Sequence, residues 1–161
     1  MPASRSWVLG LVVSALALLA VLAAAIWFAM MDAPAGSAAD PNDARQVAHG
    51  KEIYVRRCAS CHGGQLEGQP GWRERLPTGR LPAPPHDHTG HTWHHPDRVL
   101  FGITKYGLAN FAPPGYQSDM PAFHGVLSDE EIWAILAYIK STWPEQARAY
   151  QAQATRRDAE R

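Results

Sequence analysis

Apolar residues are concentrated near the N-terminus of the chain. Residues 7–31 form a run of 25 positions without a charged side chain. A membrane-spanning helix needs about 20 apolar residues, whereas the apolar core of a cleavable signal peptide has about 7 to 15. Trp7 and Trp27 lie near the two ends of the run, as aromatic residues at membrane interfaces do. The pattern predicts a transmembrane anchor over residues 7–31, with a signal peptide cleaved near residues 33–35 as the alternative.

Charges on either side of this run predict its orientation. Arg5 and the amino terminus precede it, and Asp32, Asp40 and Asp43 follow it. Because positive charge is retained on the cytoplasmic side, residues 1–6 are expected in the cytoplasm and everything after residue 32 on the opposite side. In a bacterium, that is the periplasmic side of the inner membrane. The small residues within 32–41 are typical of a linker.

Three segments beyond the linker have the spacing of amphipathic helices. The first is expected to have Asp40 as its N-cap and Pro41 in its first turn, and to run to about Arg57. The second opens at His95-Pro96-Asp97 and ends just before Gly107. The third begins with a capping box at residues 128–131 and stops before Pro144. The residues expected on their buried faces are Val47, Gly50 and Tyr54 in the first, Val99, Leu100 and Ile103 in the second, and Ile132, Ile135, Leu136, Tyr138 and Ile139 in the third.

The segments between these helices show no sustained period. Residues 63–95 and 108–127 are predicted to be loops, and loops of that length are uncommon unless they serve a function. Residues 145–161 are polar throughout and are expected to form either a frayed helix or a disordered tail. The pattern thus divides the chain into a domain over residues 42–143 and a polar C-terminal tail over residues 144–161.

Composition narrows the class of protein. Without its first 31 residues the chain has about 130 residues, which is one small domain. The low Val and Ile content after residue 31, with 13 Gly and 13 Pro in the chain, argues against a large sheet. A net charge of zero argues against a general nucleic-acid binder, and 2 cysteines cannot form a disulfide framework. We expect an all-α domain of short helices joined by long loops.

The motif that carries chemistry is Cys58-Ala59-Ser60-Cys61-His62. C-x-x-C-H is the attachment site of c-type haem. Two thiols separated by two residues reach the two vinyl groups of one porphyrin, and the adjacent imidazole then points at the iron. The motif uses both cysteines of the chain, and the predicted periplasmic location is where such attachment takes place. One covalent haem c is therefore the expected cofactor.

Two other interpretations of the cysteines rank below haem. In a zinc site, Cys58 and Cys61 would pair with His86 and His91, or with His91 and His95, although the gap of 24 residues from Cys61 to His86 is longer than usual. A dithiol redox motif, ranked third, normally opens a helix in a βαβ pattern, which this sequence lacks. Neither alternative explains why a histidine follows Cys61 directly.

The spacing of Gly50, Tyr54 and Cys58-Ala59-Ser60-Cys61-His62-Gly63 resembles the start of a class I monohaem cytochrome c domain. The resemblance covers roughly residues 42–143. It implies the cytochrome c fold, in which three to four short helices and long loops surround one haem, here following an N-terminal transmembrane helix. It also implies that the C-terminal helix crosses the N-terminal one, so that Gly50 and Tyr54 would meet Ile135 and Tyr138.

The resemblance implies an axial methionine in the loop before the last helix, opposite His62. Met120 is the only methionine beyond the predicted anchor, and Pro121 restrains the backbone beside it. A buried methionine more commonly fills a core. Histidine ligation is the remaining alternative, and it would give a lower reduction potential. The candidates for it are His86, His88, His91, His94, His95 and His124.

Further roles near the haem are expected for a few residues. In the family, a proline carbonyl after the motif accepts a hydrogen bond from the axial histidine, which points to Pro84 or Pro85. Trp93, Arg98, Tyr106 and Tyr116 could reach the haem propionates, although ordinary packing is the more common role for any one of them. His86, His88 and His91 form a possible secondary site for copper or zinc. The favoured interpretation of this tract is nevertheless capping, propionate contact or solvent exposure.

These features together predict an electron carrier and not an enzyme. The expected partners are a quinol-oxidising complex, and a terminal oxidase or a periplasmic dehydrogenase, reached by a domain tethered to the membrane. Two alternatives stay open. One is a gas sensor in which Met120 is displaceable, and the other is haem-linked copper handling by the tract from His86 to His95. A peroxidase is less favoured, because methionine ligation leaves no open site on the iron.

Overall fold

A computed structural model describes residues 4–31 and 38–161 of the chain. The chain divides into two units, Met1–Pro34 and Ala35–Arg161. Within the described ranges the structure has no strand, and the all-α expectation is confirmed there. The helices are α1 (Ser4–Met31), α2 (Ala44–Arg57), α3 (Ala59–His62), α4 (Asp97–Tyr106), α5 (Asp129–Ser141) and α6 (Glu145–Ala159), with 3₁₀ turns at Thr92–His94 and Leu108–Asn110.

The first unit consists of α1, which covers the predicted apolar run. The side chains described in it, at residues 10–25, are exposed. Among the described residues, no helix is both long and apolar enough to span a bilayer. The structure does not describe residues 1–3 or residues 32–37 of the predicted linker. It also does not describe the side chains of Arg5, Trp7 and Trp27.

Helix α2 begins three residues after the predicted start, because its N-cap is Asp43 and not Asp40. The Asp43 carboxylate accepts hydrogen bonds from the backbone N–H groups of Arg45 at 2.9 Å and Gln46 at 3.2 Å. The carboxylate of Asp40 instead accepts from the N–H of Asn42 at 2.9 Å. The prediction of Asp40 as the cap is wrong, because two aspartates compete for this role and Asp40 closes a local turn before the helix.

Helices α2 and α5 cross at the predicted place. A Cβ added to Gly50 would lie 1.8 Å from the carbonyl oxygen of Ala134 and 2.9 Å from the nitrogen of Ile135. The rings of Tyr54 and Tyr138 pack beside this contact with centroids 5.4 Å apart. The expected meeting of the two helices is confirmed, and only glycine permits this approach of the two backbones.

Helix α5 matches its prediction closely. The Ser128 side chain accepts from the N–H of Glu131, and the Glu131 carboxylate accepts from the N–H of Ser128, which completes the capping box. The helix ends at Ser141, before Pro144. All five of its predicted core residues are buried, which are Ile132, Ile135, Leu136, Tyr138 and Ile139.

Helix α4 has the predicted ends but a different buried face. Gly107 follows its last residue with φ +82°, as a helix-terminating glycine does. The most buried positions are Leu100, Gly102 and Thr104, whereas Val99 and Ile103 are half-buried. Burial of a threonine is possible here because its hydroxyl donates to the Leu100 carbonyl at 2.9 Å. The predicted face is therefore correct only for Leu100.

The polar C-terminus forms the helix Glu145–Ala159, which agrees with the helical alternative for this segment and not with the disordered tail. Helix α6 packs on the Thr92–His94 turn and on α4, and it buries Ala147 and Gln151. Arg98 of α4 forms an ion pair with Asp158 at 2.7 Å. The buried side of α6 is small or polar, so hydrophobic periodicity gave no signal for this packing.

Candidate haem site

The C-x-x-C-H motif lies where α2 ends and the short helix α3 begins. Cys58 is the residue between the two helices, and Cys61 and His62 complete α3. Cys58 is half-buried and Cys61 is exposed, and neither forms a disulfide. His62 is only 7% exposed. The motif therefore presents two thiols beside one buried imidazole, which is the donor set that covalent haem attachment requires.

The electrostatics of Cys58 argue against a dithiol redox site. Burial raises the pKa of the Cys58 thiol to about 11, and the neighbouring Cys61 adds to the rise. Redox-active cysteines of C-x-x-C motifs have a lowered pKa, because the thiolate is the reactive form. The environment of Cys58 has the opposite effect, and this disfavours the thiol-exchange alternative.

The imidazole of His62 is oriented by one hydrogen bond. Its Nδ1 lies 2.9 Å from the carbonyl oxygen of Pro84, which decides between the two expected prolines in favour of Pro84. Since a carbonyl only accepts, Nδ1 carries the proton and Nε2 is left as the ligand atom. Burial lowers the pKa of His62, although the bond to Pro84 opposes this effect. A neutral imidazole with Nε2 available is the form that binds a metal.

Close backbone contacts hold the proline segment in this position. A Cβ added to Gly68, which has φ +70°, would lie 2.4 Å from the nitrogen of Pro85. A Cβ added to Gly90 would lie 2.1 Å from the Pro85 carbonyl oxygen. Gln69 pairs with Ala83 through both its backbone N–H, at 2.9 Å, and its side-chain oxygen, at 2.8 Å. The Pro84 carbonyl is therefore presented by a segment fixed on both sides.

Met120 lies in a loop that contacts two other segments of the domain. It is half-buried against the core, and its N–H donates to the Ser118 hydroxyl at 3.1 Å. Asp119 forms an ion pair with Arg80, which belongs to the loop after the haem motif. On the other side, the N–H of Phe123 donates to the Thr104 carbonyl of α4 at 3.1 Å. The loop is thus attached to both the first loop and α4.

The four residues expected to reach the haem propionates lie in different surroundings. Arg98 is paired with Asp158, and the indole N–H of Trp93 donates to the His88 carbonyl at 3.3 Å. Tyr106 packs beside the ring of His124. Tyr116 differs from these three because it lines an open groove of about 480 Å³ between residues 75–79 and 113–117, together with Arg75. Thr78 and Gln117 line the same groove, and the Arg75 guanidinium donates to the Gly79 carbonyl.

The three histidines expected at a secondary metal site lie in different surroundings. His86 pairs with Thr92, His91 stacks on Trp72 with centroids 5.5 Å apart, and His88 is exposed. In the described parts of the chain, no group of three or more His, Cys, Asp or Glu side chains is arranged to hold a metal ion.

Two residues near His62 were not anticipated in these roles. The imidazole of His86 stacks on that of His62 with centroids 4.0 Å apart and an interplanar angle of 22°. The indole N–H of Trp143 donates to the His86 carbonyl at 2.7 Å. Sequence spacing carries no signal for either contact, since the partners are 24 and 57 residues apart.

The all-α fold, the two thiols and the oriented histidine together define a protein that binds haem covalently. A family model for cytochrome c matches residues 47–143, more than half of the chain, and the chain belongs to the cytochrome c family. Cys58 and Cys61 accordingly carry a covalently attached c-type haem, and haem-based electron transfer is its general function. No curated protein and no solved structure matches the chain significantly.

Proposed function

We propose that this protein is a class I, single-haem electron carrier in which His62 and Met120 are the axial ligands of the iron. The observation that carries the proposal is the 2.9 Å hydrogen bond between His62 Nδ1 and the Pro84 carbonyl. That bond leaves Nε2 as the free ligand atom of the histidine that directly follows Cys61 in the sequence. The haem, when bound, supplies a one-electron Fe(III)/Fe(II) couple.

Met120 suits the role of second ligand by its chemistry and its attachment. A thioether favours the reduced iron, so histidine–methionine ligation raises the reduction potential relative to two histidines. The contacts of Asp119 with Arg80 and of Phe123 with Thr104 restrict the loop around it. A ligand at the sixth position also excludes oxygen and substrates from the iron. These properties suit an electron carrier and do not suit an enzyme with an open iron site.

We further propose that residues 7–31 anchor the domain to a bacterial inner membrane, with the domain on the periplasmic side. The support is the apolar run without charge and the change of charge sign across it. Tethering raises the effective concentration of the domain near membrane partners. A quinol-oxidising complex would donate electrons, and a terminal oxidase or a periplasmic dehydrogenase would exchange them. Protease accessibility of the domain in spheroplasts, with an alkaline wash of the membranes, tests this location.

Absorption spectroscopy of the purified protein tests the ligation. Iron–thioether bonding gives the oxidised protein a weak band at the red edge of the visible spectrum. We expect this band in the wild type and in His88→Ala, and its loss in Met120→Ala. An intact mass one haem heavier than the polypeptide tests attachment at the same time. Retention of the band in Met120→Ala, or ready binding of carbon monoxide by the reduced wild type, would contradict the proposed ligation.

A further inference from the structure

The ring of His86 covers one face of the His62 imidazole. The centroids of the two rings are 4.0 Å apart and their planes differ by 22°, which is face-to-face contact. This contact is separate from the hydrogen bond between His62 and Pro84, which acts in the plane of the His62 ring. His62 is therefore restrained at its edge by a carbonyl and on its face by a second imidazole.

His86 is itself held from three segments. Its Nδ1 lies 2.9 Å from the hydroxyl oxygen of Thr92, and its carbonyl accepts from Trp143 at 2.7 Å. Its N–H donates at 2.7 Å to the carbonyl of Leu66, a buried residue with φ +70°. A positive φ at leucine is strained, and the surrounding structure must maintain it. With both its backbone and its ring bonded, His86 is a fixed surface for His62 to pack against.

A single hydrogen bond restrains the orientation of an imidazole plane only softly. The bond from Nδ1 to Pro84 limits both torsions of the His62 side chain, but the N–H···O angle tolerates deviations of about 30° from linearity. A flat surface in contact with the ring face narrows this range. Ligand orientation held by surrounding groups is the means by which proteins adjust a bound metal.

We infer that His86 is a positioning residue that sets the plane of the His62 imidazole, an inference that rests on the proposed role of His62 as an axial ligand. His86 acts through His62 and makes no contact with the iron in this role. The plane of an axial imidazole determines how its orbitals overlap with those of the iron, and the covering ring also keeps water from one face of the ligand. Both the magnetic anisotropy of the ferric state and the reduction potential therefore depend on His86.

The test uses the haem-loaded, full-length protein and three variants. His86→Ala removes the covering ring, and His86→Phe keeps a flat ring in the same place. His88→Ala is the matched control, because His88 belongs to the same tract but is exposed. The readouts are haem content, the low-spin ferric EPR spectrum, and the ferrous-to-ferric ratio at a fixed applied potential.

We expect His86→Ala to keep its haem and its thioether band, whereas its EPR g values move or its lines broaden. The ferrous-to-ferric ratio should fall several-fold, because solvent near the ligand favours the charged ferric state. His86→Phe should restore the EPR spectrum towards that of the wild type, and His88→Ala should match the wild type in all readouts. A purely structural role would change haem content or stability without this rescue by phenylalanine.

Wild-type EPR and potential in haem-loaded His86→Ala would overturn the inference, as would failure of His86→Phe to improve on His86→Ala. If His86→Ala does not load haem, Thr92→Val decides the question, because it removes the hydroxyl bonded to the His86 ring while preserving side-chain shape. An unchanged EPR spectrum in Thr92→Val would then overturn the inference. Failure of the proposed ligation is distinguishable, since it appears in the wild type as a missing thioether band.

Discussion

Two regions of the domain are held together by different physical means. In the helix crossing, formed by α2 and α5, the Gly50 backbone lies against the Ala134 carbonyl without a polar side chain between them. In the polar clasp, formed by Asp97, Lys140, Trp143 and Gln151, buried side chains bond to other segments. The helix crossing is possible only because position 50 has no side chain. The polar clasp is stable only while its donors and acceptors are paired.

The polar clasp joins segments that are distant along the chain. The Lys140 ammonium donates at 3.0 Å to the Ala39 carbonyl and at 3.0 Å to the Asp97 carboxylate. The Gln151 amide donates to the same carboxylate at 2.6 Å and to the His95 carbonyl at 3.2 Å. The two regions should consequently respond in opposite ways to substitution. Added volume damages the helix crossing, whereas removal of a partner damages the clasp.

The largest effect is expected from Gly50→Ala. The new methyl group would overlap the Ala134 carbonyl, and both contacting groups are helix backbone, so α2 and α5 must separate. We expect a loss of more than about 4 kcal/mol in the free energy of unfolding, at the upper end for a single substitution. Urea unfolding followed by circular dichroism measures it. Gly64→Ala is the control, because nothing lies within 4 Å of a Cβ added there. Equal stability of the two variants would show that the crossing is not closely packed.

Lys140→Met should have the next largest effect. It keeps most of the side-chain volume but leaves the Asp97 carboxylate and the Ala39 carbonyl without their shared donor. Breaking a buried ion pair from one side costs about 3 kcal/mol or somewhat more. The same urea measurement applies. Lys51→Met, at an exposed position of α2, should leave the unfolding midpoint almost unchanged. If the two variants proved equally stable, the clasp would contribute little.

Trp143→Phe tests a neutral hydrogen bond of the clasp. It removes the donor to the His86 carbonyl, and the smaller ring leaves space in a site where Trp143 is 2% exposed. An unpaired buried carbonyl costs about 1–3 kcal/mol. Trp93 is half-buried, and its hydrogen bond to the His88 carbonyl is longer, at 3.3 Å, and accessible to solvent. Trp93→Phe should therefore be less destabilised than Trp143→Phe. The order of the two unfolding midpoints is the observable, and the reverse order would contradict the assignment.

A smaller loss of stability is expected at acid pH, and it acts through the histidines His91 and His95. Burial is the main cause that lowers the pKa of His95, and His94 adds to it. Burial is also the main cause that lowers the pKa of His91. His95, His94 and Arg73 lower it further, in that order of size. A histidine with a lowered pKa binds protons more readily when unfolded. Its stabilising contribution is therefore complete above a pH of about 6.5 and is lost as pH falls through the lowered value.

Urea midpoints at pH 7.5 and pH 5.5, a range above the titration of ordinary carboxyl groups, test this dependence. The wild type should be less stable at the lower pH, and His95→Gln should show a smaller difference between the two conditions. A midpoint that is flat or that rises towards acid in the wild type would refute the prediction. So would an unchanged pH dependence in His95→Gln.

Short-range patterns predicted much of this molecule. The haem motif, the capping box of α5 and the glycine after α4 are each readable from a few neighbouring residues, because attachment and capping chemistry act within one helical turn. The helix crossing at Gly50 was implied by the resemblance to the cytochrome c family, which Gly50, Tyr54 and the motif carry. The start of α2 was misplaced because Asp40 and Asp43 have the same capping chemistry, and only the folded backbone distinguishes them.

The sequence by itself determined the cofactor, because two thiols and a histidine within five residues are matched to one porphyrin. Tertiary structure alone decided which groups lie against that histidine, namely the Pro84 carbonyl and the His86 ring. It also decided the packing of α6 on α4 and on the Thr92–His94 turn. The reason is that attachment geometry is local along the chain, whereas hydrogen bonds and ring contacts between distant segments have no period or spacing. A buried glutamine such as Gln151 becomes recognisable as a core residue only when its partners have been brought to it.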